Sequence, residues 1–329
     1  MRHCNPLFKG GKYMEIIDEH EKNAFETLKK KYSLKDEKFK IKNGHIIHIN
    51  LTSRGLATFP EPILELKSLQ ELNLTDNQLT TLPESLSDLK SLTYLSLSHN
   101  KLTPLPESIC KLQYINSLNL SSNKLTKLPE SFGNLKSLRY LYLVQNELTT
   151  LPESFGNLRS LQSLIIGQNK FMIFPEPILE LQSLQSLYID NNQLISLPKS
   201  FGRLTSLKTL YLTGNKLTTL PESFENLNSL TDLSLADNKF KTLPEPLGSL
   251  KQLKSIDLEF NPLSGEDYNV SDKGVGAVIE YCKKTKLNNL IKRLEAIKAQ
   301  IKTSGLKLND LQILKKMAEE IEEKIKKLK

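Results

Sequence analysis

Residues 138–152 read LRYLYLVQNELTTLP. The stretch follows L-x-x-L-x-L-x-x-N-x-L-x-x-L-P, with Asn146 as its fixed polar point. Apolar and other residues alternate from Tyr140 to Val144, the period of a short strand with one buried face. Leu141 and Leu143 therefore point inward, and Tyr140, Tyr142 and Val144 point out. At Asn146 the chain must turn into the core, where its backbone groups lose strand partners. A buried amide donates and accepts, so it can satisfy those groups. Leu148 and Leu151 refill the core, and Pro152 ends the segment.

Outward from this stretch, the pattern recurs every 23 residues. Its asparagine stands at Asn77, Asn100, Asn123, Asn146, Asn169, Asn192, Asn215, Asn238 and Asn261. One more unit lies upstream, IIHINLTSRGLATFP at 46–60, where Arg54 holds the asparagine place. Ten units thus fill residues 46–263 without an insertion. The returning half of each unit repeats as well: LPESFGNL occurs at 128–135 and again at 151–158. In it Phe132 and Leu135 sit three apart and point inward, as on a short helical or 3₁₀ turn. One unit cannot bury its own apolar face, so it must stack on a copy. The expected fold is α/β, a right-handed solenoid bent into a horseshoe with a parallel β-sheet on its concave side. At roughly 4.8 Å per strand the sheet extends about 43 Å. Along it the asparagines form a ladder.

A period of this length with this spacing is the leucine-rich repeat signature. The units resemble the Ras-group class of these repeats, found in Ras-suppressor-like proteins, plant Ras-group repeat proteins and Roco proteins. NPLSGEDYNVSDKGVGAVIEYCKK at 261–284 is similar to the stretch leading out of the repeats in Roco proteins. A GTPase domain would follow there. Here no G-x-x-x-x-G-K-S/T occurs, and Gly11-Lys12-Tyr13 lacks both the hydroxyl residue and the upstream glycine. The resemblance implies a binding scaffold in small-GTPase signalling, with a small GTPase or its regulator as partner.

Both ends of a solenoid need covering. Residues 13–32 carry Ile16, Ile17, Ala24, Phe25 and Leu28, which reads as an amphipathic helix. FKIKNGHIIHINL at 39–51 places Asn43-Gly44 between two alternating runs, a hairpin signal. Residues 1–45 are therefore assigned to an N-terminal cap of helix plus hairpin. GVGAVIEYCKK at 274–284 predicts a short helix over the last repeat, within a C-terminal cap at 264–286. Leu290, Leu294, Ile297 and Ile301, then Leu311, Leu314, Ala318, Ile321, Ile325 and Leu328, step by threes and fours on either side of Ser304-Gly305. Residues 287–329 are expected to form two heptad helices, paired in one hairpin or as a coiled coil with a second chain.

The tail at 283–329 holds 14 Lys+Arg against 6 Asp+Glu, matching the whole chain's +8 by itself. It has three readings: binding to an anionic membrane, binding to nucleic acid, or the wet faces of a hairpin. Glu319, Glu320, Glu322 and Glu323 weigh against the first two, and no aromatic residue interleaves the basic ones. Cys4, Cys110 and Cys282 are odd in number and far apart, which argues for a reducing, cytoplasmic setting. The N-terminus carries no signal-peptide pattern, and no apolar run reaches membrane-spanning length. His3, His20, His45, His48 and His99 show no metal spacing, and no cysteine pair suits zinc. No cofactor and no enzymatic activity are expected. Cys282, beside Lys283, reads as a cap-helix thiol rather than a nucleophile.

The concave surface is the expected site. Of the chain's 10 tyrosines, Tyr94, Tyr140, Tyr142, Tyr188 and Tyr211 occupy outward strand positions, with Ile165 and Val144 among them. Tyrosine favours both strands and binding surfaces. Arg139 and Lys208 flank this patch, and Asp190, Asp232, Asp237, Asp257 and Glu259 make the C-terminal end acidic. The expected function is a scaffold that binds another protein here, with self-association through the tail as a further partner mode. The other reading is a membrane- or nucleic-acid-associated protein targeted by its basic tail.

Overall fold

The computed structural model describes residues 16, 18–302 and 308–328. The expected break at Ser304-Gly305 and the residues before Ile16 lie outside this range. Helix α1 (Glu19–Tyr32) begins where the Asp18 carboxylate accepts the Glu21 amide, an N-cap that holds the helix start at Glu19. Ile16 is buried ahead of that start, so it packs on the core without being helical. Strands β1 (Phe39–Lys42) and β2 (His45–Asn50) pair antiparallel. Asn43 and Gly44 both take positive φ between them, the backbone of a tight hairpin turn.

Nine three-residue strands follow at 23-residue steps: β3 (Glu71–Asn73), β4 (Tyr94–Ser96), β5 (Ser117–Asn119), β6 (Tyr140–Tyr142), β7 (Ser163–Ile165), β8 (Ser186–Tyr188), β9 (Thr209–Tyr211), β10 (Asp232–Ser234) and β11 (Ser255–Asp257). All eleven strands lie in one sheet in chain order, and every pair from β2 onward is parallel. Leu72, Leu95, Leu118, Leu141, Leu164, Leu187, Leu210 and Leu233 stand in one register and are buried. The outer edge carries a 3₁₀ turn in each of the first nine units, opened in most by the proline after the last core leucine. The repeats form an open, non-closed solenoid with one continuous core, which takes in the N-terminal cap and the start of the C-terminal helices.

The repeated phrase LPESFGNL earns its letters here. Phe132 and Phe155 stack with ring centroids 6.0 Å apart. A Cβ on Gly133 would lie 1.7 Å from the Ser154 carbonyl oxygen, so only glycine lets successive turns approach this closely. The Ser154 hydroxyl accepts the Gly133 amide and donates to the Glu130 carbonyl, locking one copy of the phrase onto the next.

The asparagines from Asn77 to Asn238 are buried, and the last, Asn261, is half-buried. The Asn146 amide nitrogen donates to the Leu120 carbonyl at 3.0 Å and the Leu143 carbonyl at 3.1 Å. Its oxygen accepts the Leu125 amide at 3.1 Å. Asn100 and Asn238 make the same bonds two periods and four periods away. At the first unit, Arg54 leaves its buried Nε without a hydrogen-bond partner, while its amide donates to the Asn77 oxygen.

The C-terminal end departs from the expected outline in two ways. A short helix not foreseen, α2 (Gly265–Ser271), follows the last strand. The expected cap helix at 274–284 and the first tail helix are one helix, α3 (Val275–Lys302), which crosses position 286 unbroken. No glycine or proline interrupts residues 277–302, so nothing stops the helix there. Its first half packs on the turn Glu245–Ser249 through Val278, Cys282 and the stem of Lys286. Helix α4 (Leu308–Leu328) folds back on its second half, with Ile297, Ala318 and Ile321 buried between them.

Candidate functional site

The sheet surface is assembled by register alone. Tyr142 lies beside Ile165, Ile165 beside Tyr188 and Tyr188 beside Tyr211, giving an unbroken row across four strands. Tyr188 and Tyr211 meet edge to face with centroids 4.9 Å apart. Burial pushes the Tyr188 hydroxyl above its usual range, with the nearby Tyr211 and Asp232 adding to the shift. Tyr140 stands in the neighbouring row of β6 and is 38% exposed. Tyr94 shares that row at 37% exposure, with Ser117 between them. The expected tyrosines thus form one continuous row and two outliers.

Arg139 and Lys208 occupy the position just before β6 and β9 and are exposed. Three strand steps, about 14 Å, separate them, so they border the row without converging on one point. Their carbonyls serve the sheet: Arg139 accepts the Gln162 and Ser163 amides, and Lys208 those of Thr231 and Asp232.

Carboxylates gather towards β11. Thr231 donates to Asp232, Ser234 to Asp257 and Asn191 to Asp190. Among the described residues no salt bridge reaches Asp190, Asp232, Asp237, Asp257 or Glu259. A Cβ at Gly167 would lie 2.6 Å from the Asp190 carboxylate, which lies over the space the glycine leaves. Periodicity alone did not single out this pairing, although an equivalent position holding Val144, Gly167 and Asp190 in succession is visible in the sequence.

Four lysines of the basic tail are engaged. Lys286 pairs with Glu225, Lys324 with Glu222 at 2.5 Å, Lys298 with Glu322 at 2.6 Å and Lys327 with Glu323 at 2.8 Å. The first two tie α3 and α4 to the outer turns of the repeats. At the other end Glu21, buried under the hairpin, accepts the Ile46 amide and contacts His45 Nδ1 at 2.8 Å. Neither carboxylate anchor was picked out from the sequence, since the partners lie 61 and 25 residues apart.

Burial pushes the Cys110 thiol up to about 11 and the Cys282 thiol to about 12, so both stay protonated and weakly nucleophilic at neutral pH. Among the described residues, no group of three or more His, Cys, Asp or Glu side chains is placed to hold a metal ion. No helix among them is long and apolar enough to cross a membrane.

The family pattern described as "Leucine-rich repeat region" matches residues 84–171 and 166–321, and that described as "Leucine rich repeat" matches 45–102. Among solved structures, an LRR protein of Leptospira interrogans is 32% identical over 66% of this chain and 73% of its own, with a TM-score of 0.52. The internalin inlF of Listeria monocytogenes is 28% identical over 64% of this chain and 60% of its own, with a TM-score of 0.57. The plant peptide hormone receptor RGFR1, solved in complex with RGF2, is 26% identical over 68% of this chain and 44% of its own, with a TM-score of 0.51. The match therefore spans less than two thirds of the internalin and less than half of the receptor. No curated protein matches the chain.

Proposed function

The chain belongs to the leucine-rich repeat family, and from that premise we propose that it is a non-enzymatic scaffold that captures a partner protein on its sheet surface. The row Tyr142, Ile165, Tyr188 and Tyr211 carries this reading. It places three amphipathic tyrosines and an apolar isoleucine side by side where nothing in the fold needs them buried. The receptor complex with RGF2 is a case of this fold engaging a ligand.

The Ras-group resemblance favours a small GTPase or its regulator as the partner, and the buried, unpaired cysteines favour a cytoplasmic setting. The ion pairs that occupy Lys286, Lys298, Lys324 and Lys327 favour a docked tail over one that targets a membrane or nucleic acid. For the same helices we favour docking over self-association, because their apolar seam is filled within one chain. We keep the division into an N-terminal cap, repeats, C-terminal cap and tail as part of the proposal, with α3 bridging the last two.

Replacing Tyr140, Tyr142, Tyr188 and Tyr211 together by Ser tests the reading. The variant should keep its circular dichroism spectrum and lose capture of the main protein that the unaltered chain retrieves from its own cells. Capture at unchanged affinity would make the row ordinary strand surface.

A further inference from the structure

Among the described residues the sheet stops at β11, which pairs only with β10. In each internal step, two amides of one strand segment donate to the next: Leu235 to the Asp257 carbonyl at 2.8 Å, and Asp237 to the Glu259 carbonyl at 2.8 Å. The equivalent amides one period on belong to Leu258 and Phe260, and no strand follows to receive them. The Lys208 carbonyl accepts two amides from the next unit, and so does that of Thr231. Lys254 is the next in that series, and no further unit donates to its carbonyl. Where the next strand would lie, a cleft of about 680 Å³ opens between β11 and α2. Ile256, Leu258 and Phe260 line one wall, and Tyr268, Ser271 and Asp272 line the other.

Phe260 is the telling residue. It has φ 57°, the left-handed backbone that every unit uses just before its asparagine position. The other units place serine, aspartate, histidine, glutamine, asparagine or glycine there. A bulky aromatic is disfavoured in that conformation, and this one is 79% exposed. Neither the turn nor the core accounts for it. Tyr268 faces the same cleft and is 55% exposed.

We propose that this edge is a strand-addition site, which takes an extended segment of a partner protein as a twelfth strand. Backbone groups supply the pairing, and side chains supply the choice of segment. Along an added strand, alternate side chains face opposite ways. Those on the open face of the sheet meet Asp257 and Glu259, with Asp272 across the cleft. Those facing the other way meet the end of the leucine core, Phe260 and Tyr268. The fitting segment therefore alternates basic and apolar residues over about 20 Å, the length of six extended residues. The lining carries three carboxylates and neither lysine nor arginine. A second copy of this edge would set like charges against each other, which disfavours a symmetric pair of chains.

Fluorescence anisotropy of the full chain with labelled peptides tests this. The acetylated, amidated hexapeptide Lys-Leu-Lys-Leu-Lys-Leu is the probe. One control has the same sequence with every second backbone amide methylated, and the other has the same composition as Lys-Lys-Lys-Leu-Leu-Leu. The probe should bind at least about tenfold tighter than either control. The exposed double variant Asp257→Lys/Glu259→Lys should lose a similar factor. Equal binding of the methylated peptide would mean adsorption by charge alone and would overturn the proposal, as would no binding of the probe. A dimer in sedimentation that the peptide splits would give the edge to a second copy and overturn it equally. The tyrosine row is untouched by these arms, so the scaffold reading stands or falls separately.

Discussion

The repeat array and the C-terminal hairpin use the same apolar residues and hold them differently. In the array, Leu118, Leu141 and Leu164 are fully buried, because each unit closes against a neighbour on either side. Among the described residues of the hairpin only Ile297, Ala318 and Ile321 are buried in its seam, while Leu290, Leu294, Ile301 and Leu314 stay partly open. Stacking in one direction covers a strand and its turn on two sides, whereas two helices cover one seam. The array should therefore behave as a cooperative body built from nearest-neighbour contacts, and the hairpin as an attached element of lower stability.

The sharpest way to break that contrast is to truncate one buried aliphatic side chain in each. Leu141→Ala should cost the array about 2–5 kcal/mol, read as a fall in the denaturant midpoint. Asn146→Ala comes next at about 1–3 kcal/mol, because the Leu120 carbonyl and Leu125 amide lose their buried partner. The surface change Ser121→Ala should stay within about 0.5 kcal/mol; equal losses at 121 and 146 would mean the ladder is not stabilising. Ile297→Ala should speed amide hydrogen exchange in α4 and leave the main melting transition of the array in place. A drop in that transition as large as the one for Leu141→Ala would make array and hairpin a single cooperative unit.

The smallest effect sits at the joint between the two regions. The Lys324 ammonium donates to Glu222 and holds its carboxyl below the usual carboxylate range, and the same hydrogen bond raises Lys324 above the usual lysine range. A lowered carboxyl stabilises docking above its unfolded pKa and loses that contribution as pH falls through the lowered value. A raised lysine contributes fully below its unfolded pKa and loses the contribution as pH rises through the raised value. The wild type and Lys324→Gln should therefore differ most between those limits and converge at both. With both side chains largely exposed, the difference should stay within roughly 0.2–1 kcal/mol and shrink with salt. A gap that persists at acid pH would assign the effect to lost stem packing instead.

Much of this was readable from spacing. Nine asparagines at one interval determine strand, turn and core positions together, because a single shifted rung would break a buried hydrogen bond. The hairpin cap was readable from Asn43-Gly44 because only certain residues accept that backbone. The left-handed residue before each asparagine was not, since Gln145, Gln168 and Phe260 give no local sign of positive φ. Nor was the ion pair that anchors α3, since Lys286 meets Glu225 across 61 residues. On the surface, the tyrosines were visible as residues, but which of them adjoin required the strand register. Ser117 separates Tyr94 from Tyr140, whereas Ile165 joins Tyr142 to Tyr188.

The ladder has a direction. Asn146 reaches back to Leu120 and Leu125 of the unit before it, and Asn261 likewise reaches back to Leu235 and Phe240. Arg54 has no earlier repeat behind it, which is why the first unit can do without an asparagine. A ribosome emits the chain in the same order. The inner carbonyl and amide of each loop thus take their partner from an asparagine that is synthesised 23 residues after the loop's own. The solenoid is polar in this sense: each coil is closed by the one that follows it, never by the one before.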